Sequence, residues 1–202
     1  MKFQKLTIKN IASIEEAEID FDAEPLSNSG IFLITGKTGS GKSTILDCIC
    51  LALYGTTPRL ENTNIQGATT DLETEVKVND SRLLMRRNTS ECSVCLTFVG
   101  NDKKCYQAEW SCKRARGKVE GALQSKTRQL TNLTDNFVYS KDKDIVPEIK
   151  RIIGLDFEQF LRTVMLSQGE FTRFLNSKDN EKAEILEKLT GVDIYSRIGK
   201  KM

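Results

Sequence analysis

Gly36-Lys37-Thr38-Gly39-Ser40-Gly41-Lys42-Ser43 decides the reading of this chain, because it fits the pattern G-x4-G-K-[ST]. Glycines at positions 36, 39 and 41 let a backbone curl around a polyphosphate, whose charge then meets peptide N–H groups and the positive end of a following helix. In such a loop Lys42 reaches the β- and γ-phosphates and Ser43 offers a hydroxyl to Mg²⁺, a hard ion that takes oxygen ligands. Thr44 adds a contact to the α-phosphate. The pattern carries weight only between a strand and a helix. Upstream, Ile31-Phe32-Leu33-Ile34 reads as a buried strand ending before Gly36. Downstream, Ile45, Leu46, Ile49 and Leu53 recur at three and four, with Gly55 and Pro58 as stop signals, which predicts a helix over residues 42–54. A glycine-rich turn that merely caps a helix is the bland alternative, and the strand-loop-helix setting argues against it.

Outward from the loop, residues 3–8 and 18–21 alternate apolar and polar side chains, predicting an opening hairpin. Residues 24–30 and 56–70 read as loops by composition. Residues 73–78 alternate like a strand, and residues 93–99 and 105–110 flank Gly100-Asn101-Asp102 as a second hairpin, so a small antiparallel sheet is expected. Helical spacing follows over 145–153 and 157–165, with Gly154 as a C-cap between them, and over 181–189. Residues 192–202 keep Ile194 and Ile198 on one face and carry no stop signal, as at the start of a longer helix. There is no internal repeat.

The 202 residues are 39% hydrophobic and 29% charged, enough for one domain with a real core and against disorder. Apolar runs fall far short of the ~18 residues of a bilayer span, and MKFQKLTIKN lacks the apolar run of a signal peptide, so a cytoplasmic protein with no membrane partner is expected. Six cysteines in that setting read as reduced thiols. A net charge of +2 argues against nucleic-acid binding by bulk charge, so any basic surface must be local. The absence of histidine excludes His-based acid/base catalysis, Ser-His-Asp triads and His-ligated zinc.

One ingredient of phosphoryl chemistry is missing: no second run of four apolar residues ends in Asp-Glu, so the sequence offers no carboxylate at a strand tip to complete a Mg²⁺ site and orient water. The segment 113–128 holds Lys113, Arg114, Arg116, Lys118, Lys126 and Arg128 against Glu120 alone. Irregular basic spacing suits contacts to DNA backbone without base reading, and equally suits a solvated loop. Arg59, just past the predicted helix, is a further DNA candidate or a plain surface charge. Cys92 and Cys95 form a C-x-x-C, but on a strand they face opposite ways and no matching pair follows, so they read as structural thiols. Trp110 reads as core, since no exposed aromatic neighbours accompany it for base stacking.

Four segments together resemble the SMC-like ABC ATPases of DNA repair, of the SbcC type: LTIKNIASIEEAEIDF, TGKTGSGKSTILDCICLALYGTTPRL, RARGKVEGALQ and VMLSQGEFTRFLNSKDNEKAEILEKLTGVDIY. The resemblance implies an ABC-type P-loop half-domain: a mixed sheet around the P-loop helix, a small antiparallel sheet, and the start of a coiled coil. Residues 1–190 would be the N-terminal lobe and 191–202 the coiled-coil start. Lys42 and Gln168 would be the catalytic residues, with Gln168 also touching Mg²⁺ and the attacking water through an amide that can accept and donate. Arg82, Leu83 and Leu84 would contact the adenosine, while Ala12 stands where some relatives carry a basic residue facing the nucleotide. ATP and Mg²⁺ are the implied cofactors. The implied partners are the C-terminal lobe of the same head, a second head bound through ATP, an SbcD-type nuclease subunit and double-stranded DNA. The resemblance thus predicts an ATP hydrolase working as half of a composite site, inactive alone, that clamps DNA and regulates a nuclease. A self-contained small P-loop NTPase or kinase, and an ATP-dependent DNA-binding module that never hydrolyses, are the alternatives.

Overall fold

The structure is a computed structural model that describes residues 1–27, 33–61, 67–72 and 74–164. It divides into two compact units, Met1–Gly154 and Leu155–Met202. Alternation of side chains shapes the first unit. β1 (Lys2–Ile11) and β2 (Ile14–Asp20) form the opening hairpin, joined by Ala12 and Ser13, with Ile11 opposite Ile14. β5 (Glu91–Val99) and β6 (Cys105–Lys113) alternate buried and half-buried residues almost without a break, the pattern of a sheet with one covered face. β7 (Thr127–Asn132) and β8 (Phe137–Tyr139) complete a six-stranded antiparallel sheet in the order β2-β1-β5-β6-β7-β8. A separate hairpin pairs β3 (Ala68–Asp71) with β4 (Thr74–Lys77).

The α/β class follows the sequence reading, with three differences. The Gly100 hairpin belongs to the main sheet, because Lys5–Lys9 of β1 pair in register with Thr97–Ser93 of β5. The small second sheet is instead β3–β4, in a Thr-rich stretch that composition marked as loop up to residue 70. The strand expected at 31–34 is not seen in its described half: Leu33 and Ile34 lie outside the sheet and Leu33 is 85% exposed. An apolar run becomes a strand only where a neighbour takes up its N–H and C=O groups, and no described strand does so.

α1 (Lys42–Tyr54) lies on the covered face of the sheet with the predicted boundaries, and Gly55 ends it at φ 73° with its N–H on the Leu51 carbonyl. Burial differs from the expected single stripe. Asp47 to Leu53 are all buried, while Ile45 and Leu46 are only half-buried. The second half of α1 is therefore covered on every side, as helices that are apolar all round usually are. Leu6, Ile8, Val94, Leu96, Phe98 and Trp110 build the sheet side of the core, each such side chain contributing roughly 1.5–3 kcal/mol on burial. Trp110 is fully buried, as the sequence predicts.

After the short helix α2 (Pro58–Glu61), a 3-10 turn at Ser81–Leu84 leads back to the sheet. α3 (Asp142–Ile153) buries Ile145, Ile149, Ile152 and Ile153. Asn101 ties the β5–β6 loop to the end of α3: its backbone N–H donates to the Ile152 carbonyl and its side-chain amide to the Ile153 carbonyl at 2.7 Å. In the second unit, α4 (Phe157–Thr163) starts with a capping box between Asp156 and Gln159. The helix expected over 181–189, the coiled-coil start at 191–202 and Gln168 lie outside the described residues.

Candidate functional site

The loop before α1 is shaped by glycines in the left-handed region, Gly39 at φ 84° and Gly41 at φ 90°. Gly41 is also the N-cap of α1, and having no side chain it leaves the first N–H groups of the helix without a side-chain cap. No acidic residue occupies the first turn either. That end of the helix therefore presents uncapped N–H donors and a positive dipole end toward the loop. Lys42 curls back over it, its Nζ donating to the Gly36 carbonyl at 2.8 Å and the Lys37 carbonyl at 2.7 Å. The ammonium thus sits inside the curve of the loop. Gly36, Lys37, Thr38, Gly39 and Ser40 are exposed, as is Ser43, while Lys42 beside it is half-buried. Thr44, one residue further into the first turn, is buried.

A second element meets the loop, at a turn of which the sequence reading marked only Ala12. The Ala12–Ser13 turn packs on Gly41, where a Cβ would lie 3.4 Å from Ser13 Oγ and 3.5 Å from Ile14 Cγ1. The segment 84–86 holds this turn. Ala12 N–H donates to the Leu84 carbonyl at 2.8 Å, Met85 bridges Ile11, and Arg86 N–H donates to the Asn10 carbonyl. The Arg86 guanidinium donates to the Ser13 carbonyl at 2.9 Å and the Ala12 carbonyl at 3.4 Å. Of the three adenosine candidates, Leu84 therefore reaches the turn that touches the loop. Arg82 is engaged elsewhere, forked onto Asp80 at 2.7 and 3.0 Å. That contact holds the Asp80 carboxyl below its ordinary range against the opposing effect of burial. Arg86 carried no motif signal, and only the unusual Ala12 pointed at this place.

The basic segment divides into buried and surface members. Arg114 has a side chain only 10% exposed, paired with Asp71 at 2.8 Å and donating to the Thr89 and Gly121 carbonyls. Arg128 is buried too, donating to the Leu53 carbonyl at the end of α1 and to Asp142, both at 2.8 Å. Their guanidinium groups are engaged inside the fold, leaving Lys113, Arg116, Lys118 and Lys126 on the surface. Arg59 is half-exposed and donates to Asp47 at 2.6 Å. Burial raises the Asp47 carboxyl above its usual range, with Arg59 opposing the shift.

None of the six cysteines, all among the described residues, is in a disulfide. Cys92 is buried and Cys95 faces the opposite, half-exposed side, as alternation predicts. Cys92 stands directly opposite Cys112. Burial pushes the Cys48 and Cys50 thiols up, and burial together with Glu109 pushes Cys95 up to about 11, so these are not thiolates at neutral pH. No helix among the described residues is long and apolar enough to cross a membrane.

With this geometry in place, comparison with known proteins is specific. A family model described as an AAA domain matches residues 5–197. The chain is 43% identical over 203 residues to the SbcC subunit of the nuclease SbcCD from Pseudomonas aeruginosa, covering 99% of this chain and 17% of that one. It is 40% identical over 205 residues to the SbcC subunit of the same nuclease from Rhodobacter capsulatus, covering 98% of this chain and 16% of the relative. The chain thus spans less than a fifth of the length of these relatives. A solved structure of the recombination mediator protein RecF with ATP matches 86% of this chain and 36% of that one, with a TM-score of 0.47 and 15% identity.

Proposed function

Because this chain belongs to the AAA-domain family and is similar to the N-terminal ATPase region of SbcC, we propose that it binds MgATP in the Gly36–Thr44 loop as half of a composite ATPase head. The observation that carries the reading is Lys42 held inside the loop on two backbone carbonyls, above a helix end with no side-chain cap. A polyphosphate meets there an ammonium, loop N–H groups and the positive end of α1. Ser43, exposed in the first turn, is the oxygen this loop offers to Mg²⁺, which neutralises phosphate charge when bound. The residues present fit both groups. Gln168 is proposed, on the resemblance alone, as a further ligand of the ion and its water.

The rest of the assembly is part of the same proposal. Residues 1–190 act as the N-terminal lobe and 191–202 begin a coiled coil. A C-terminal lobe supplies the remaining catalytic groups, two heads close on ATP, an SbcD-type nuclease subunit is bound, and double-stranded DNA is clamped while ATP persists. Lys113, Arg116 and Lys118 are the surface cations offered to DNA backbone, and Arg59 a weaker candidate because Asp47 already holds it.

Phosphate release from MgATP tests the reading. The chain alone should be silent, a separately made C-terminal lobe should bring turnover, and Lys42→Ala should bind no nucleotide. Turnover by the chain alone that vanishes in Lys42→Ala would refute the composite site, and wild-type affinity in Lys42→Ala would refute the loop itself.

A further inference from the structure

The Ala12–Ser13 turn is built under constraint. Asn10 at φ 53° and Ala12 at φ 48° are both non-glycine residues in the left-handed region, a conformation that persists only where the surroundings determine it. Two-residue hairpins usually give such positions to Gly, Asn or Asp, so Ala12 is the wrong residue for a turn that holds itself. The determination comes from outside the hairpin. The Leu84 carbonyl and the Arg86 N–H fix the backbone on either side of Ile11, and Asn10 Nδ2 donates to the Glu91 carbonyl at 3.0 Å. Among the described residues it is the Arg86 guanidinium that reaches the turn's own carbonyls, those of Ala12 and Ser13. Arg86 is itself steadied: Thr89 Oγ1 donates to its carbonyl at 2.6 Å, and its other Nη lies 4.0 Å from the exposed Glu15. Its side chain is 36% exposed, and its guanidinium is aimed at the turn by these hydrogen bonds. The turn it grips lies against Gly41, the residue that joins the phosphate loop to Lys42.

From this chain of contacts we infer that Arg86 is a positioning residue for the nucleoside end of ATP. The inference rests on the phosphate-loop reading above. Polyphosphate occupies the concave loop, and the nucleoside leaves it past Gly41, along the wall that the Ala12–Ser13 turn forms. Arg86 acts through that turn and not on the phosphates. It fixes a strained two-residue turn in advance, so that binding does not have to order it. The inference therefore separates two ligands that a purely structural role would not: ATP needs the turn, whereas inorganic tripolyphosphate needs only the loop and Lys42.

The test measures Mg²⁺-dependent binding of ATP and of inorganic tripolyphosphate to the 202-residue chain and to Arg86→Met, Arg86→Lys and Lys42→Ala, with thermal melting alongside. Arg86→Met keeps the aliphatic stem and should weaken ATP on the order of tenfold, what re-fixing about one residue's backbone costs, while leaving tripolyphosphate unchanged. Arg86→Lys, which can still donate to one carbonyl, should fall between. Unchanged ATP affinity in Arg86→Met, or equal losses for both ligands, would overturn the inference. Lys42→Ala should lose both ligands; if it keeps both, the phosphate-loop reading fails, which is a separate result. Should the Arg86 variants melt too early to assay, hydrogen exchange on the unaltered protein decides. The Ala12 amide should slow with ATP and not with tripolyphosphate, and no slowing with ATP would count against Arg86 and its turn.

Discussion

Substituting the exposed member of the Arg128–Asp142 pair should do more harm than substituting the buried one. The Arg128 side chain is 5% exposed and that of Asp142 is 58% exposed. Burial outweighs Asp142 and lowers the Arg128 pKa, and its Nε is buried without a partner among the described residues, so the guanidinium is held at a net cost. In Arg128→Met the stem still fills its space, Asp142 returns to water, and the Leu53 carbonyl loses its donor. That loss is about 1–3 kcal/mol, and relief of a poorly compensated buried charge offsets much of it, leaving about 1 kcal/mol. In Asp142→Ala the guanidinium stays buried with Nη1 as well as Nε unpaired. Removing one partner of a fully buried pair costs ~3–5 kcal/mol, and the exposure of Asp142 reduces this to about 2 kcal/mol. Urea titration of the two variants and of the double variant reads the order directly. The double variant should lie within about 1 kcal/mol of Arg128→Met, because without the guanidinium Asp142 serves only as an acidic residue in the first turn of α3. If Arg128→Met is the worse variant by a clear margin, the helix-end contact to Leu53 dominates and the argument from burial fails.

Gly55→Ala should destabilise by about 2 kcal/mol, since a side chain at φ 73° costs ~1–2 kcal/mol and its Cβ would also lie 2.9 Å from the Arg128 guanidinium carbon; melting temperature checks it, and an unshifted value would contradict the geometry. The Asp47 carboxyl is raised in the fold, so the folded state binds its proton more tightly and this residue's contribution falls as pH rises from the ordinary carboxylate value through the raised one. Asp47→Asn should therefore gain on the unaltered protein across that window in denaturation curves, and a constant difference would argue against a buried carboxylate. Arg116→Glu with Lys118→Glu in a complete head should weaken DNA binding and flatten its salt dependence, whereas Arg114→Glu should unfold the chain by confronting Asp71; a folded Arg114→Glu that merely loses DNA would reverse this assignment.

The parts legible in sequence are those governed by local rules. The loop and the limits of α1 follow from glycine placement and from Gly55, and the β5–β6 hairpin from strict alternation around Gly100. β7 escaped notice because Arg128 and Asn132 occupy its buried positions beside Leu130, so its period of two is written partly in polar residues. Whether an arginine is surface or core is set by partners far along the chain: Asp71 lies 43 residues from Arg114, and Leu53 lies 75 residues from Arg128. No count of charges in the 113–128 segment could reveal that. The same holds for Arg86, whose contacts with Ala12 and Ser13 span more than seventy positions.

The bonds from Lys42 to Gly36 and Lys37 also bear on how a ligand arrives and departs. An entering polyphosphate exchanges these bonds for its own, so a calorimeter would register the difference between two sets of charge-assisted contacts and not the full heat of either. When the ligand leaves, the lysine can close back on the same carbonyls. On the function proposed above, the loop would then act as its own placeholder, keeping a glycine-rich segment in a receptive shape between one ligand and the next.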